Sequence, residues 1–317
     1  MKNAYSNIFS FNKEILSKTL KVLNRGDVVG LPTETVYGLA GNAYSKTSIR
    51  KIYKIKKRPK INPLIVHYFN YKDALNDVVL NKNFFKLYKK ICPGPITFIL
   101  KKKKNSKIHP QASANLKTIA LRFPEHKIIR TILKNLDFPL AMPSANISSN
   151  VSPVSASDVF EEFKKKINII IDGGRSRIGI ESTVIDLTHQ PKLLRPGIID
   201  IKKIEKILKL KIKKKNYKSK LRSPGMLGKH YSPGIPILIN QIKPDNRSAY
   251  IYLGNKFKNK NNFFSLSKKS SLTEAASNLY KTFRKIKKKG YKKIQIAKIP
   301  LKGPGIAIND RIKRAAI

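Results

Sequence analysis

Val28-Val29-Gly30-Leu31-Pro32-Thr33-Glu34-Thr35 is an apolar run that stops abruptly at a proline and three polar side chains. Arg25-Gly26-Asp27 bounds it on the other side. A short apolar segment between such breakers predicts a buried strand over Val28 to Leu31. A polar loop directly after a buried strand is also where open α/β sheets hold their ligands, in the crevice outside the strand carboxyl ends. The one stretch therefore predicts both an element and a place for chemistry.

The same rhythm extends in both directions. Before it, Asn12 caps a run with Ile15, Leu16, Leu20 and Leu23 at helical spacing. After it, Ser45 to Lys57, Phe84 to Ile91, Lys127 to Leu136 and Ala156 to Phe163 read as helices. Pro63 to His67, Ile96 to Leu100, Ile119 to Phe123, Pro139 to Met142, Ile169 to Ile171, Thr183 to Leu187 and Leu193 to Arg195 read as strands. The alternation predicts an α/β domain around one twisted, open sheet. Its pairing is mixed, because some strands follow one another with no helix between. Residues 209–233 turn Lys-rich and carry Ser223-Pro224-Gly225 and Ser232-Pro233-Gly234, which reads as a linker. Beyond it Ile235 to Ile239, Ala249 to Leu253 and Ile294 to Ile299 are expected strands, and Thr273 to Lys289 and Asn309 to Ala316 expected helices. The expected division is a catalytic domain over 1–208, a linker over 209–233 and a smaller α/β extension over 234–317.

Composition narrows the class. The 317 residues hold 67 Lys+Arg against 18 Asp+Glu, a net charge of +49. Such an excess draws polyanions, and leaves room for a tRNA contact through a basic surface. It is equally what a genome rich in A and T writes, since most of it is Lys, in runs with no interleaved aromatics. Cys92 is the single cysteine, so neither an internal disulfide nor a multi-thiolate zinc site is available. No run of ~18 apolar residues predicts a membrane span. The first eleven residues do not read as a secretory signal, and a cytoplasmic location is expected.

Motif absences matter as much. There is no P-loop: Gly174 and Gly179 have the glycine spacing, but Ile180-Glu181 stands where Lys-Ser/Thr is required. A nucleotide would have to be held by hydroxyls, amides and cations gathered from loops after strands. Pro32-Thr33-Glu34-Thr35, Lys56-Lys57-Arg58-Pro59 with Asn62, Pro143-Ser144-Ala145-Asn146, Asp172-Gly173-Gly174, Glu181-Ser182-Thr183 and Arg195-Pro196-Gly197 supply them. Each fragment also has a plainer explanation. Lys56 and Arg58 suit a helix C-terminus, and Ser144 and Asn146 suit a turn or cap. His67 suits a core histidine, and Ser182 and Thr183 suit a strand. Arg122 is harder to explain away, because an apolar strand seldom carries an unpaired arginine.

Read in order, the wording is specific. Leu31 to Leu39, Lys-x-Arg-Pro-x-x-Asn-Pro-Leu-Ile-x-His from Lys56 to His67, Pro93-Gly94-Pro95-x-Thr97, Pro143 to Ser148, Glu181 to Val184 and Arg195-Pro196-Gly197 resemble the YrdC family of threonylcarbamoyl-AMP synthases. Gly225-Met226, His230-Tyr231-Ser232-Pro233 and Ile308-Asn309-Asp310-Arg311 resemble the linker and extension of its long form. The resemblance implies an enzyme that joins L-threonine, bicarbonate or CO2 and ATP into threonylcarbamoyl-AMP and releases pyrophosphate. A downstream threonylcarbamoyl transferase complex would pass the group to the adenosine at position 37 of tRNAs reading codons that begin with A. It implies Lys56, Arg58, Ser144 and Asn146 as catalytic residues. Threonine would be held by Thr35, His67, Arg122, Met142 and Ser182. ATP would be held by Arg58, Asn62, Thr118, Ser144, Ser152, Arg195 and Tyr231. Mg2+ would accompany the phosphates, with no metal ligands assigned on the protein. Departures are modest: Lys57 fills a position that is often small, Met142 precedes Pro143 where a smaller residue is common, and Leu227-Gly228-Lys229 is less basic than usual. Two rivals stay open. An RNA-binding protein without catalysis needs only a basic groove, and a carbamoyl transferase of hydrogenase maturation would need zinc-finger cysteines.

Overall fold

A computed structural model describes residues 7–214, 230–257 and 261–316. The Ser223-Pro224-Gly225 turn, Gly225-Met226 and Leu227-Gly228-Lys229 of the expected linker lie outside the described residues.

The first body runs β1 (Ile8–Ser10), α1 (Lys13–Asn24), β2 (Val29–Leu31), β3 (Gly38–Asn42), α2 (Lys46–Lys56), β4 (Ile65–His67), β5 (Val78–Val79), α3 (Lys82–Ile91), β6 (Ile96–Lys102), β7 (Thr118–Arg122), α4 (Lys127–Lys134) and β8 (Leu140–Ala141). It continues α5 (Ala156–Phe163), β9 (Ile170–Asp172), β10 (Thr183–Asp186), β11 (Lys192–Arg195), α6 (Ile201–Leu208) and β12 (Lys213–Lys214). Local chemistry explains the helix starts. The side chain of Asn12 accepts from Ile15 N, that of Ser45 from Ser48 N and that of Asn81 from Phe84 N. Ser155 and Asp158 form a reciprocal capping box at α5.

The strands lie in the order β1-β9-β2-β3-β8-β4-β7-β6-β10-β11-β12, with β5 paired to β6. Pairing is mixed: β4 and β7 are parallel, while β8 is antiparallel to both β3 and β4. Alternation along the central strands then divides the two faces. Val66 and Leu121 enter the main core with α2, α3 and α6, while Ile65 and Ala120 face the other way.

The second body is β13 (Ile237–Leu238), β14 (Ala249–Tyr252), β15 (Phe263–Ser265), α7 (Leu272–Lys288), β16 (Ile294–Ile296) and α8 (Pro304–Ala315). Its four strands are all parallel, in the order β13-β16-β14-β15. Its core does not stop at its own chain segment. Val36, Val151, Val154, Ile178 and Ile180, from loops of the first body, are buried in the same cluster as Leu279, Phe283, Ile296 and Ile308. Ion pairs join the bodies too: Arg284 on α7 meets Asp158 and Glu162 of α5, and Lys288 meets Glu161.

Several elements differ from expectation. β3 was not anticipated, because Gly38-Leu39-Ala40-Gly41-Asn42 has two glycines and no alternation. Yet all but Asn42 are buried, and both strand partners accept so small a surface. α6 was not anticipated either; it packs Ile204 and Leu208 into the first core. α8 begins five residues before the expected Asn309, because Pro304 sits in its first turn after Gly303, where a missing N–H costs nothing. Lys213–Lys214, expected as linker, pairs with β11 at the sheet edge.

Candidate active site

The sheet gathers what the sequence scatters. The parallel register of β4 and β7 sets His67 beside Arg122, and the antiparallel register of β6 and β7 sets Thr97 beside the same arginine. Pairing of β4 with β8 places Met142, just past β8, against Ile65, whose carbonyl accepts from Met142 N at 2.8 Å. Gly38, at the start of β3, bridges to Ser144. A Cβ on Gly38 would stand 2.3 Å from Met142 Cγ, so the glycine is what lets this crossing close.

The result is a small cavity of about 40 Å3 lined by Thr33, Val36, Tyr37, Gly38, Arg58, Ile65, His67, Arg122, Met142, Pro143, Ser144, Glu181, Arg195, His230 and Tyr231. It lies over the face of the sheet, near the carboxyl ends of β4 and β7, rather than wholly beyond the strand ends. A larger cavity of about 320 Å3 lies between β11 and α8 and contains none of the residues expected in the site. Seven expected residues line the smaller one: Arg58, His67, Arg122, Met142, Ser144, Arg195 and Tyr231. Five more stand directly behind it. Lys56 is buried, and its Nζ donates to the carbonyl oxygens of Ser144 at 2.6 Å and Asn146 at 2.5 Å. Asn62 accepts from Arg58 Nη2 at 2.7 Å. Thr35 Oγ1 lies 2.9 Å from Thr33 Oγ1. Ser182 Oγ lies 2.7 Å from Thr97 Oγ1 and accepts from Arg195 Nη2 at 3.1 Å. Ser152 Oγ donates to Glu181 at 2.6 Å.

Asn146 and Thr118 are the outliers. Asn146 is buried, and its amide donates to the carbonyls of Ile147 and Asn150, fixing the loop rather than the cavity wall. Thr118 starts β7; continuing the β4–β7 register puts it alongside Pro63, whose carbonyl accepts from Arg58 at 2.7 Å. It is half-buried on the Arg58 side and does not reach the cavity.

Electrostatics follow from burial. Burial pulls the Lys56 amine well below the usual range, helped by Arg58. The amine of Lys56, implied by the resemblance as a catalytic group, here serves two carbonyls from inside the wall. Arg58 drops to about 10 through burial and remains charged at neutral pH. His67 is held well below its ordinary value by burial and by Arg122, so it is a neutral imidazole. Burial takes His230 down to about 3.

Two carboxylates were missed as site residues. Burial is the largest influence on Glu34 and would raise it, but the charge and hydrogen bond of Arg122 together with backbone N–H donors hold it below its ordinary value, and the pair sits at 2.6 Å with both side chains buried. Arg122 Nε, also buried, has no hydrogen-bond partner among the described residues. Burial would likewise raise Glu181, but Arg311 and Arg195, with hydrogen bonds from Ser152 and Arg311, hold it at about 2. The signal was present: in a chain with 18 acids against 67 bases, an acid inside a motif is itself informative. Among the described residues no cluster of three or more His, Cys, Asp or Glu could hold a metal ion. No helix among them is long and apolar enough to cross a membrane.

Comparison with known proteins gives the same outline. Residues 21–197 match the Sua5/YciO/YrdC family, described as "Telomere recombination", and residues 199–317 match "Threonylcarbamoyl-AMP synthase, C-terminal domain". The chain is 35% identical to a threonylcarbamoyl-AMP synthase of Pyrococcus abyssi, covering 93% of this chain and 92% of that one. It is 32% identical to the threonylcarbamoyl-AMP synthase of Bacillus subtilis, covering 97% and 94%. Among solved structures it is similar to P. abyssi Sua5 complexed with L-threonine, at TM-score 0.89 and 31% identity over 98% of this chain and 97% of that one.

Proposed function

The chain belongs to the Sua5/YciO/YrdC family, and from that membership and the cavity we infer that it makes L-threonylcarbamoyl-AMP from L-threonine, bicarbonate or CO2 and ATP, releasing pyrophosphate. One observation carries the reading: Arg58, Arg122 and Arg195, from three separate segments, line one cavity with a neutral His67 and Ser144. Three arginines suit a polyanion and an amino-acid carboxylate held side by side.

The chemistry needs positioning and dryness rather than a covalent nucleophile. The threonine amine attacks the one-carbon unit to form a carbamate, losing water when the source is bicarbonate and a proton when it is CO2. A carbamate oxygen attacks the α-phosphorus of ATP, and the α–β bond breaks with pyrophosphate as leaving group. Arg122, clamped by Glu34 and with Nε unspent, grips the threonine carboxylate. Met142 and Gly38 bound that side, with Thr35 supporting Thr33 from behind. Arg58 and Arg195 neutralise phosphate charge, with Ser144 beside them. Lys56 and Asn146 hold the Ser144 loop in shape. Asn62, Thr118 and Ser152 support the nucleotide side. Tyr231 closes over the nucleotide.

Mg2+ belongs with the substrate phosphates, as it commonly does. Glu34 and Glu181 are both committed to arginines, so the residues here do not build a site for it and no step runs through it. We place the catalytic domain at 1–208, the linker at 209–233 and the extension at 234–317; α6 packs into the first core, while Ile212 and the Lys213–Lys214 strand carry that body a few residues into the linker. The product is a labile mixed anhydride destined for a downstream transferase acting on tRNA, and a cytoplasmic setting fits that hand-over.

The direct test is to incubate the purified protein with ATP, bicarbonate and labelled threonine. A threonine-containing adenylate by mass spectrometry, dependent on all three, is expected. Salt-sensitive RNA binding with no threonine-dependent pyrophosphate would overturn the reading.

A further inference from the structure

Glu181 stands in the cavity wall, one residue before Ser182. Its carboxylate accepts from three directions: Ser152 Oγ at 2.6 Å, Tyr280 OH at 2.9 Å and Arg311 Nε at 2.8 Å. Ser152 belongs to the first body, but Tyr280 lies on α7 and Arg311 on α8 of the second. Arg311 is fully buried, and Asp310 ties its Nη1 at 2.6 Å. Its guanidinium also sits 5.1 Å from the centre of the Tyr231 ring, within cation–π range. The Tyr231 ring in turn stacks on Tyr280, with centroids 5.8 Å apart and planes 25° from parallel.

Tyr231 needs such support. Its backbone is left-handed, at φ 66°, a conformation that a bulky side chain keeps only when its surroundings over-determine it. One arginine from the extension therefore fixes Glu181 on one side and Tyr231 on the other. Arg195 is bound into the same arrangement, because its Nε donates to Ser182 O at 3.0 Å. The opposite end of the cavity stands apart. Arg122 there is held by Glu34, and neither contacts Arg311 or Tyr280.

We propose that Arg311 and Tyr280 are positioning residues for the nucleotide half of the site, acting from the second body through Glu181 and Tyr231. Neither lines the cavity, so neither is a catalytic residue. Glu181 is a bracket rather than a base, since its oxygens are occupied by three donors. The inference rests on the synthase reading, and assigns the extension domain a role in ATP binding that it does not have in threonine binding.

The test uses the full-length protein and steady-state pyrophosphate release, with ATP and threonine varied separately. Three forms are compared with the parent: Tyr280→Phe, which removes one hydroxyl; Arg311→Lys; and the double variant Glu181→Gln with Arg311→Met, which leaves no uncompensated charge at Glu181. The double variant is expected to raise KM for ATP about tenfold, the effect of losing one well-placed interaction, with KM for threonine moved less than about twofold. Tyr280→Phe should move the same constant in the same direction by less, and Arg311→Lys should fall between the parent and the double variant. A double variant that only has fewer working molecules, with kcat lowered and both KM values unchanged, would overturn the proposal. If the double variant does not fold, Tyr280→Phe decides, and a parental KM for ATP there overturns it. A parent protein with no threonine-dependent pyrophosphate release would remove the synthase reading, and this inference with it.

Discussion

Arg58 meets the cavity with most of its donor fork already engaged. Nε donates to Asn62 O at 3.0 Å, and Nη2 to Asn62 Oδ1 and Pro63 O at 2.7 Å each. The guanidinium is thus aimed before any ligand arrives, which is what makes a charge effective on a transferring phosphoryl group. Arg58→Ala is expected to keep the far-UV circular dichroism and lower threonine- and bicarbonate-dependent pyrophosphate release by roughly 10²–10³-fold; parental release would take Arg58 out of the mechanism. Gly38 supports the opposite end. Gly38→Ala would drive a methyl into Met142, costing ~1–3 kcal/mol of stability as overpacking does, and raising KM for threonine more than KM for ATP. Among single residues, the arginines and Ser144 were legible from the wording of the sequence alone. Glu34 and Glu181 stand inside legible motifs, but their roles are not legible there, because pairing across 88 and 130 residues cannot be read from spacing.

Elements carry the site through their ends. α5 begins at a capping box and follows directly on the Ser152 loop, and Asp158 closes that box by accepting from Val154 N at 2.9 Å and Ser155 N at 3.2 Å. Removing the cap with Ser155→Ala is expected to cost ~1 kcal/mol, read as a lower urea midpoint at unchanged slope, while Ser155→Asp should keep most of it. Helices with caps and a clear apolar stripe were the legible elements. β3 was not, because its burial comes from being sandwiched between β2 and β8 and not from its own side chains. Nor was α6, whose Ile204 and Leu208 look like any apolar pair until α3 packs on them. β4, β7 and β8 are only two to five residues long, so it is register that aligns His67 with Arg122. Periodicity predicts that such strands exist; it does not predict which of them pair.

At the scale of the molecule, the two bodies share a core. Val36, Val151, Val154, Ile178 and Ile180 are buried against the second sheet and its helices, each worth ~1.5–3 kcal/mol when fully buried. A chain cut after residue 208 exposes all five and loses Tyr231, and is expected to lose turnover and solubility together; full activity in that fragment would make the extension dispensable. Acid should act on the same junction. Glu181 titrates at about 2 when folded against an ordinary 4.5, so its stabilisation is complete above 4.5 and drains away as the pH falls toward 2. At ~1.4 kcal/mol for each pH unit, that loss is ~3 kcal/mol. His230, at about 3 against 6.5, has the same sign and begins its loss earlier, as the pH falls below 6.5. Urea midpoints at pH 7, 5 and 3.5 should therefore fall in order, and His230→Gln should flatten the upper part of the curve. The roof of the cavity is His230-Tyr231-Ser232, fastened at one end to Arg314 O and at the other to Ser149 O. About 40 Å3 beneath it admits little more than a water or two, whereas small-molecule sites run to ~300 Å3 or more. A nucleotide does not fit beneath it in this arrangement. A chamber this tight leaves hardly any solvent beside the reacting groups, which is the shelter a hydrolysis-prone anhydride needs.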